Sequence, residues 1–326
     1  MKALVLAAGF GTRLLPLTTD KSKVALSLAG VPVIVRVVRM LRSQGVNEIV
    51  VNLHHAPETV RAALAEAGEE VDFSPEPEIL GTGGAIRGAR RYLAGGPFLL
   101  VNGDCFYGEP DLDSAVEFHQ RMGAVATMLL LDMPPGESYR PVAIDRDSRL
   151  VSVAGRPQAG AAATFKCLHF PGIHVFEPEV IDLIEPGKSD VNCTLYPRLI
   201  EAGAPVFGFH TALRWFDLGT PARFLEAAFA LLQEDESVWG RGVKIGRGYK
   251  ISADAELTGP VELGQGCRVG PGCRLERVVA GNEVQLSGVN HITNCLIGDC
   301  CDIPSGVDFS GKFICNYENI MKLQDL

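Results

Sequence analysis

Short apolar runs alternate with amphipathic stretches over the first two thirds of the chain. Residues 3–8, 48–53, 97–101 and 124–131 are near-continuous apolar segments and predict buried strands. Between them, residues 33–44, 57–67, 85–93 and 112–122 space their apolar positions three and four apart and predict helices. Strand and helix in regular alternation predict an α/β fold, a doubly wound, mostly parallel sheet covered on both faces. From 142 to 176 the runs shorten and Gly and Pro separate them, which predicts an antiparallel insertion over one side of a site. Residues 221–233 predict one more helix, followed by a polar linker.

After Gly240 the period changes. Ile245, Ile251, Leu257, Leu263, Val269 and Leu275 fall six apart, and so do Tyr249, Ala255, Val261, Cys267, Cys273 and Val279. Helices have no six-residue period; parallel β-helices built from hexapeptide rungs do. The register breaks near Gly281 and resumes at Leu296-Ile297-Gly298, giving about three coils. The sequence thus divides linearly into 1–235, a repeat at 242–306, and a tail at 307–326 placed to cap the open coil end.

Composition sharpens this. The 326 residues are enough for two domains, and at 47% hydrophobic they build a sizeable core. The net charge of −9 argues against nucleic acid as a partner. No apolar run reaches a membrane span, and the apolar N-terminus is too short for a signal peptide, so a cytoplasmic location is expected. Nine cysteines without small-scaffold spacing predict reduced thiols; in the repeat they take positions for small inward residues.

The chemistry sits at predicted strand ends. Residues 3–8 run into Gly9-Phe10-Gly11-Thr12-Arg13, a turn whose glycines let backbone N–H groups approach a phosphate, with Lys23 ten residues beyond Arg13. Neither common phosphate loop fits: Leu14 stands where the dinucleotide fingerprint needs glycine, and Gly-Lys-Ser/Thr is absent. On composition alone an ordinary strand-turn serves as well. Asp104 follows Asn102-Gly103 after an apolar run, and Asp217 lies in Trp215-Phe216-Asp217-Leu218-Gly219-Thr220-Pro221; each alone reads equally as a turn or cap residue. Gly81-Thr82-Gly83-Gly84 opens a helix just after Glu76 and Glu78.

Leu6-Ala7-Ala8-Gly9-Phe10-Gly11-Thr12-Arg13 with Lys23, Val101-Asn102-Gly103-Asp104, Leu80-Gly81-Thr82-Gly83-Gly84 and Trp215 to Pro221 together resemble the motifs of sugar-1-phosphate nucleotidyltransferases, and in that family's order. The resemblance covers residues 1 to about 230 and the repeat, which resembles the family's left-handed β-helix. It implies transfer of a nucleotidyl group from a nucleoside triphosphate to a sugar 1-phosphate. It implies that Asp104 and Asp217 jointly bind Mg²⁺, that Arg13 holds the leaving pyrophosphate and that Lys23 sits on the α-phosphate. Leu6, Ala7, Ala8, Gly9, Gly11, Thr12, Glu78, Gly81, Thr82 and Gly83 would hold the nucleotide. Asn102, Arg156, Lys166 and Gly172 would hold the sugar phosphate. Within the family the repeat points to mannose-1-phosphate guanylyltransferases. Thr82-Gly83-Gly84 leans instead to N-acetylmuramate-1-phosphate uridylyltransferases, and glucose-1-phosphate uridylyl- or thymidylyltransferases stay open.

Two departures stand out. Ser22-Lys23 replaces the family's Pro-Lys, which should loosen the loop while keeping the cation. Gly155-Arg156-Pro157 replaces Glu-Lys-Pro, which leaves the sugar undefined. These changes motivate a rival reading, a catalytically weak regulatory subunit that senses nucleotide-sugars. A second rival, an acyl-transferring β-helix, suffers from the small number of coils and a single histidine, His291. His174, in place of a family tyrosine, reads as structural. Since every candidate precedes residue 242, the repeat is expected to serve self-association into a homo-oligomer.

Overall fold

The computed structural model describes residues 1–137, 139–153, 156–157, 165–234, 236–316 and 319–322. Its contacts gather into two compact units: Met1–Gly9 with Ile34–Trp215, and Phe10–Val33 with Phe216–Leu326. This partition crosses the linear division expected from the sequence. The segment after the first strand belongs with the C-terminal third.

The first unit is built on a seven-stranded sheet. In chain order its strands are β1 (Lys2–Leu6), β2 (Glu48–Leu53), β3 (Asp72–Pro75), β4 (Phe98–Asn102), β5 (Ala126–Leu130), β6 (Ile173–Phe176) and β7 (Val206–His210). They lie in the order β7-β5-β6-β4-β1-β2-β3. All pairings are parallel except the two made by β6, which runs antiparallel to both β4 and β5. Ala3, Leu4 and Val5 are wholly buried, as a central strand covered on both faces requires. The predicted strands are all present. The two the sequence did not announce, β3 and β7, are the sheet's edges, where one neighbour suffices and the apolar run is short or broken.

Helices α1 (Val33–Ser43), α2 (Pro57–Glu66), α3 (Gly81–Gly88) and α4 (Leu112–Arg121) connect the strands. The α1 segment is rich in β-branched residues, which disfavour helix. It is helical because Ile34, Val37, Val38 and Leu41 form one buried stripe, while Arg39 and Arg42 on the other side pair with Glu69 at 2.8 and 3.1 Å. Asp111 caps α4 by accepting the Ser114 N–H at 3.0 Å. The insertion is a separate antiparallel sheet of Arg156–Pro157, Leu150–Val153, Val142–Ile144 and Lys166–Leu168, in that order. It ends sooner than the sequence suggested, since 173–176 returns to the main sheet as β6.

The second unit contains the loop 10–33, the helix α5 (Pro221–Leu232) and a stack of short parallel strands. Three ladders run through the stack. Val243 pairs with Val261, Lys250 with Arg268 and Glu256 with Arg274, one step every 18 residues. The step then shortens to 17: Val261 pairs with Val278, Arg268 with Gln285 and Arg274 with His291. This shortening is why the six-residue pattern fails. It occurs before Gly281, beside a bulge between Thr258 and Val261, so Val278 and not Val279 takes the column of Val261. The stack is also longer than expected, since Asp308–Ser310 and Lys312–Asn316 continue it and Asn319–Lys322 pairs antiparallel with the last parallel strand.

The stack's interior is lined by Val261, Leu263, Val269, Leu275, Ile292 and Ile303 together with Cys267, Cys273, Cys295 and Cys301, all buried. Burial pushes the thiols of Cys267, Cys295 and Cys301 up to about 11 and that of Cys315 to about 12. Among the described residues all nine cysteines are free thiols, and no helix is long and apolar enough to cross a membrane.

Candidate active site

In the first unit the end of β1 is fixed by polar groups from two neighbours. The Leu6 carbonyl accepts the Gly103 N–H at 2.9 Å, and the Ala7 N–H donates to Asn52 Oδ1 at 2.6 Å. Asn52 in turn donates to Glu76 Oε1 at 2.7 Å, and Glu76 Oε2 accepts the Leu80 N–H at 3.1 Å. Asn52 and Glu76 are almost completely buried. A continuous polar chain therefore runs from the first strand end to the start of α3. The sequence named Glu78, which is exposed. It did not name Asn52, whose only signal was one polar residue in the apolar run of β2.

The glycine element is held from behind. Thr82 Oγ1 accepts the Val191 N–H at 2.8 Å and donates to Asp190 at 3.2 Å, and the Gly83 N–H donates to the Ser189 carbonyl at 3.0 Å. A Cβ at Gly81 would stand 2.5 Å from that carbonyl oxygen. These residues thus seat α3 against the 189–191 segment, so any nucleoside contact falls to their free faces.

Asn102, Gly103 and Asp104 leave the end of β4. Gly172 lies across from Asn102, accepting its N–H at 2.8 Å. Gly172 has φ +106°, and a Cβ there would come 2.6 Å from Asn102 Nδ2, so only glycine fits. The Tyr107 hydroxyl lies 3.1 Å from the carbonyls of both Asn102 and Pro171, and its burial pushes its pKa well up, so it stays a donor. Tyr107 carries no motif, and no local pattern in the sequence marks it. Lys166 is exposed, 3.1 Å from Asp132 and 3.4 Å from the His210 ring. Arg156 is in a strand, but its side chain lies outside the described residues, as does Gly155.

His174 on β6 is buried, with its Nδ1 2.9 Å from the Tyr196 hydroxyl and its ring stacked on Phe176 and Tyr196. Burial drives its pKa down to about 3, so the ring is neutral.

In the second unit the other candidates converge. Gly11 has φ +63°, and a Cβ there would stand 3.0 Å from both Lys23 Cβ and Thr18 Cγ2. Its carbonyl accepts the Thr18 hydroxyl at 2.9 Å. The turn therefore folds directly onto Lys23, which is only 7% exposed. Ser22 keeps φ −63°, the angle a proline would impose, so the backbone is extended here without the ring. Arg13 is exposed and reaches Gly219, where a Cβ would stand 2.6 Å from its Nη2 and 2.8 Å from Asp217 Oδ1. Asp217 Oδ1 accepts the Gly219 N–H at 2.8 Å and Oδ2 pairs with Arg223. The cap of α5 is Thr220, with Pro221 following.

The donor chemistry of Asp217, and separately that of Asp104, suits a divalent ion. Among the described residues no three His, Cys, Asp or Glu side chains form a cluster. Mg²⁺ keeps several waters and takes only one or two carboxylates. Asp217 has lone pairs left after its two bonds, and Asp104 is a half-buried carboxylate at a strand end.

Comparison with known proteins finds a family and a fold for the chain. Residues 2–234 match the protein family described as Nucleotidyl transferase. A UTP–glucose-1-phosphate uridylyltransferase of Synechocystis is 28% identical over 72% of this chain and 64% of its own. A mannose-1-phosphate guanyltransferase of Candida albicans is 30% identical over 69% and 63%, and a mannose-1-phosphate guanylyltransferase of Mycobacterium tuberculosis is 28% identical over 71% and 64%. The matches therefore span slightly less than two thirds of these relatives. HddC from Yersinia pseudotuberculosis has the same fold, with a TM-score of 0.60 at 24% identity, covering 71% of this chain and 99% of its own.

Proposed function

Because the chain belongs to the nucleotidyl transferase family, we propose that it joins a nucleoside triphosphate to a sugar 1-phosphate, releasing pyrophosphate and a nucleotide-sugar. The observation that carries this is the grouping of buried Lys23 on the glycine turn with Arg13 beside Gly219 and Asp217. A turn with two cations and an adjacent carboxylate suits a polyphosphate.

The sugar phosphate needs no general base, since its second pKa is about 6 and it is largely dianionic at neutral pH. Its oxygen attacks the α-phosphorus in line, and the bond to the β-phosphate oxygen breaks. Lys23 neutralises charge that builds on the α-phosphate, and Arg13 takes the departing pyrophosphate. Asp104 and Asp217 are the residues that would hold Mg²⁺, which supplies further charge neutralisation when bound. Asn102 and Gly172, paired across two strand ends, are the residues we assign to the sugar, with Lys166 as a second cation for its phosphate.

The curated relatives favour mannose 1-phosphate and GTP, and the stacked strands agree with a family left-handed β-helix of 18- and 17-residue coils. The uridylyltransferase relative keeps glucose 1-phosphate with UTP as the second reading. Reduced thiols accord with a cytoplasmic enzyme, and exposed Val238, Trp239 and Val289 on the second unit offer surface for a homo-oligomer.

A panel of GTP, UTP and dTTP against mannose and glucose 1-phosphates, read by Mg²⁺-dependent pyrophosphate release, tests this. GTP with mannose 1-phosphate is expected to give the highest kcat/KM. No release from any pair would favour the regulatory-subunit reading.

A further inference from the structure

The loop 10–33 carries Arg13 and Lys23, yet it has little structure of its own. It forms two single turns, Thr12–Leu14 and Lys23–Ala25, and one two-residue pairing of Ser27–Leu28 with Val31–Pro32. Elements this short do not hold themselves in place, so the loop's position must come from what it touches.

The stacked strands make that contact. Glu262 lies in Glu256–Leu263 and is only 3% exposed. Its Oε1 accepts the Ser27 hydroxyl at 2.7 Å and the Gly30 N–H at 2.8 Å. Lys244, its register partner on the next strand, runs its stem beneath Gly30, where a Cβ would come within 2.5 Å of Lys244 Cε. Earlier in the loop, Lys21 pairs with Asp299, and a Cβ at Gly298 would stand 3.0 Å from Leu17 Cδ2. The hydrogen bonds continue toward the cation: Val33 N–H donates to the Leu26 carbonyl at 3.1 Å, and Leu26 N–H to the Lys23 carbonyl at 3.2 Å. Glutamate is an expensive side chain to bury. Here one of its oxygens serves two donors of the loop at once.

We propose that Glu262 is a positioning residue for the phosphate-handling loop. It fixes Ser27 and Gly30, and through Leu26 the turn that bears Lys23. The stacked strands then act as the mount of the loop. This rests on the reading that Lys23 acts on the triphosphate.

The test uses the full chain with Glu262→Ala, Glu262→Gln, Ser27→Ala and, as reference, Lys23→Ala. Triphosphate affinity is measured by calorimetry with whichever of GTP, UTP or dTTP binds the parent. Amide hydrogen exchange is followed over 10–33 and over 243–314. Glu262→Ala is expected to speed exchange in the loop at least tenfold, weaken triphosphate binding about tenfold and leave the KM for sugar phosphate within twofold. Glu262→Gln, which keeps an acceptor oxygen, should recover most of both losses. Ser27→Ala, which leaves the strands untouched, should fall between. Unchanged loop exchange and affinity in Glu262→Ala and Ser27→Ala, with Lys23→Ala impaired, would overturn the positioning role alone. Unchanged affinity and turnover in Lys23→Ala would overturn the reading beneath it. Exchange that rises equally throughout 243–314 would make Glu262 a support of the stack and also overturn the proposal.

Discussion

Asp217 holds a backbone amide with one oxygen and Arg223 with the other, and Arg13 lies alongside. If its task is to hold a metal ion, Asp217→Asn and Asp104→Asn should each fold and lose about 10²–10³-fold in metal-dependent turnover, as for removal of one preorganised stabilising group. Arg223→Ala should cost less than tenfold; an equal loss would make Asp217 only the partner of that arginine. Pyrophosphate release and thermal melts on the three variants decide between these. Lys23→Ala should lower kcat more than it raises KM, because the charge it meets grows in the transition state. His174 gives a pH signature. Its folded pKa is depressed to about 3, so the neutral ring's contribution is fully present above pH 6.5 and is lost as pH falls below it. Between pH 7 and pH 5 the loss is about 2 kcal/mol, at 1.36 kcal/mol per unit. Urea unfolding of His174→Phe should show that much less loss over the same interval. Some of this was legible in the motifs: Arg13, Lys23, Asp104 and Asp217 stand at strand ends and turns. Asn52 and Tyr107 were not, because Asn52 accepts the Ala7 N–H and Tyr107 reaches the Pro171 carbonyl, 45 and 64 positions away, and nothing in local spacing records that.

Among the elements, legibility followed burial. Strands covered on both faces leave an unbroken apolar run, so β1, β2, β4 and β5 could be read directly. The edge strands β3 and β7 need only one partner, and Asp72 and Pro75 in one and Gly208 in the other disguise them. The six-residue period was legible as far as the paired strands stepped by 18 residues, and lost where the step became 17. The cysteines tested well against that pattern, since those in the repeat interior are small, buried and hard to ionise. Alkylation of the native protein at pH 8 should therefore label Cys167, Cys193 and Cys300, the exposed ones, and spare Cys267, Cys273, Cys295 and Cys301. Peptide mass mapping reads this directly, and rapid labelling of Cys273 or Cys295 would mean that the stacked strands open.

In the whole molecule the partition into two units departs most from the linear reading, which made the repeat dispensable for the site. A chain ending before residue 242 would lack Glu262 and Asp299, and should bind triphosphate at least tenfold more weakly than the full chain; calorimetry on the shortened protein would show it. The sequence could not announce this, because the contacts that bind loop to strands are single polar pairs across hundreds of residues. Gly30 and Glu262 are 232 positions apart, and Lys21 and Asp299 are 278. That separation also sets a clock. Ribosomes add about 5–20 residues per second, so Gly30 leaves the exit tunnel on the order of ten to fifty seconds before its acceptor does. During synthesis the first strands can find one another early, while the 10–33 segment must wait for the stacked strands on which it rests.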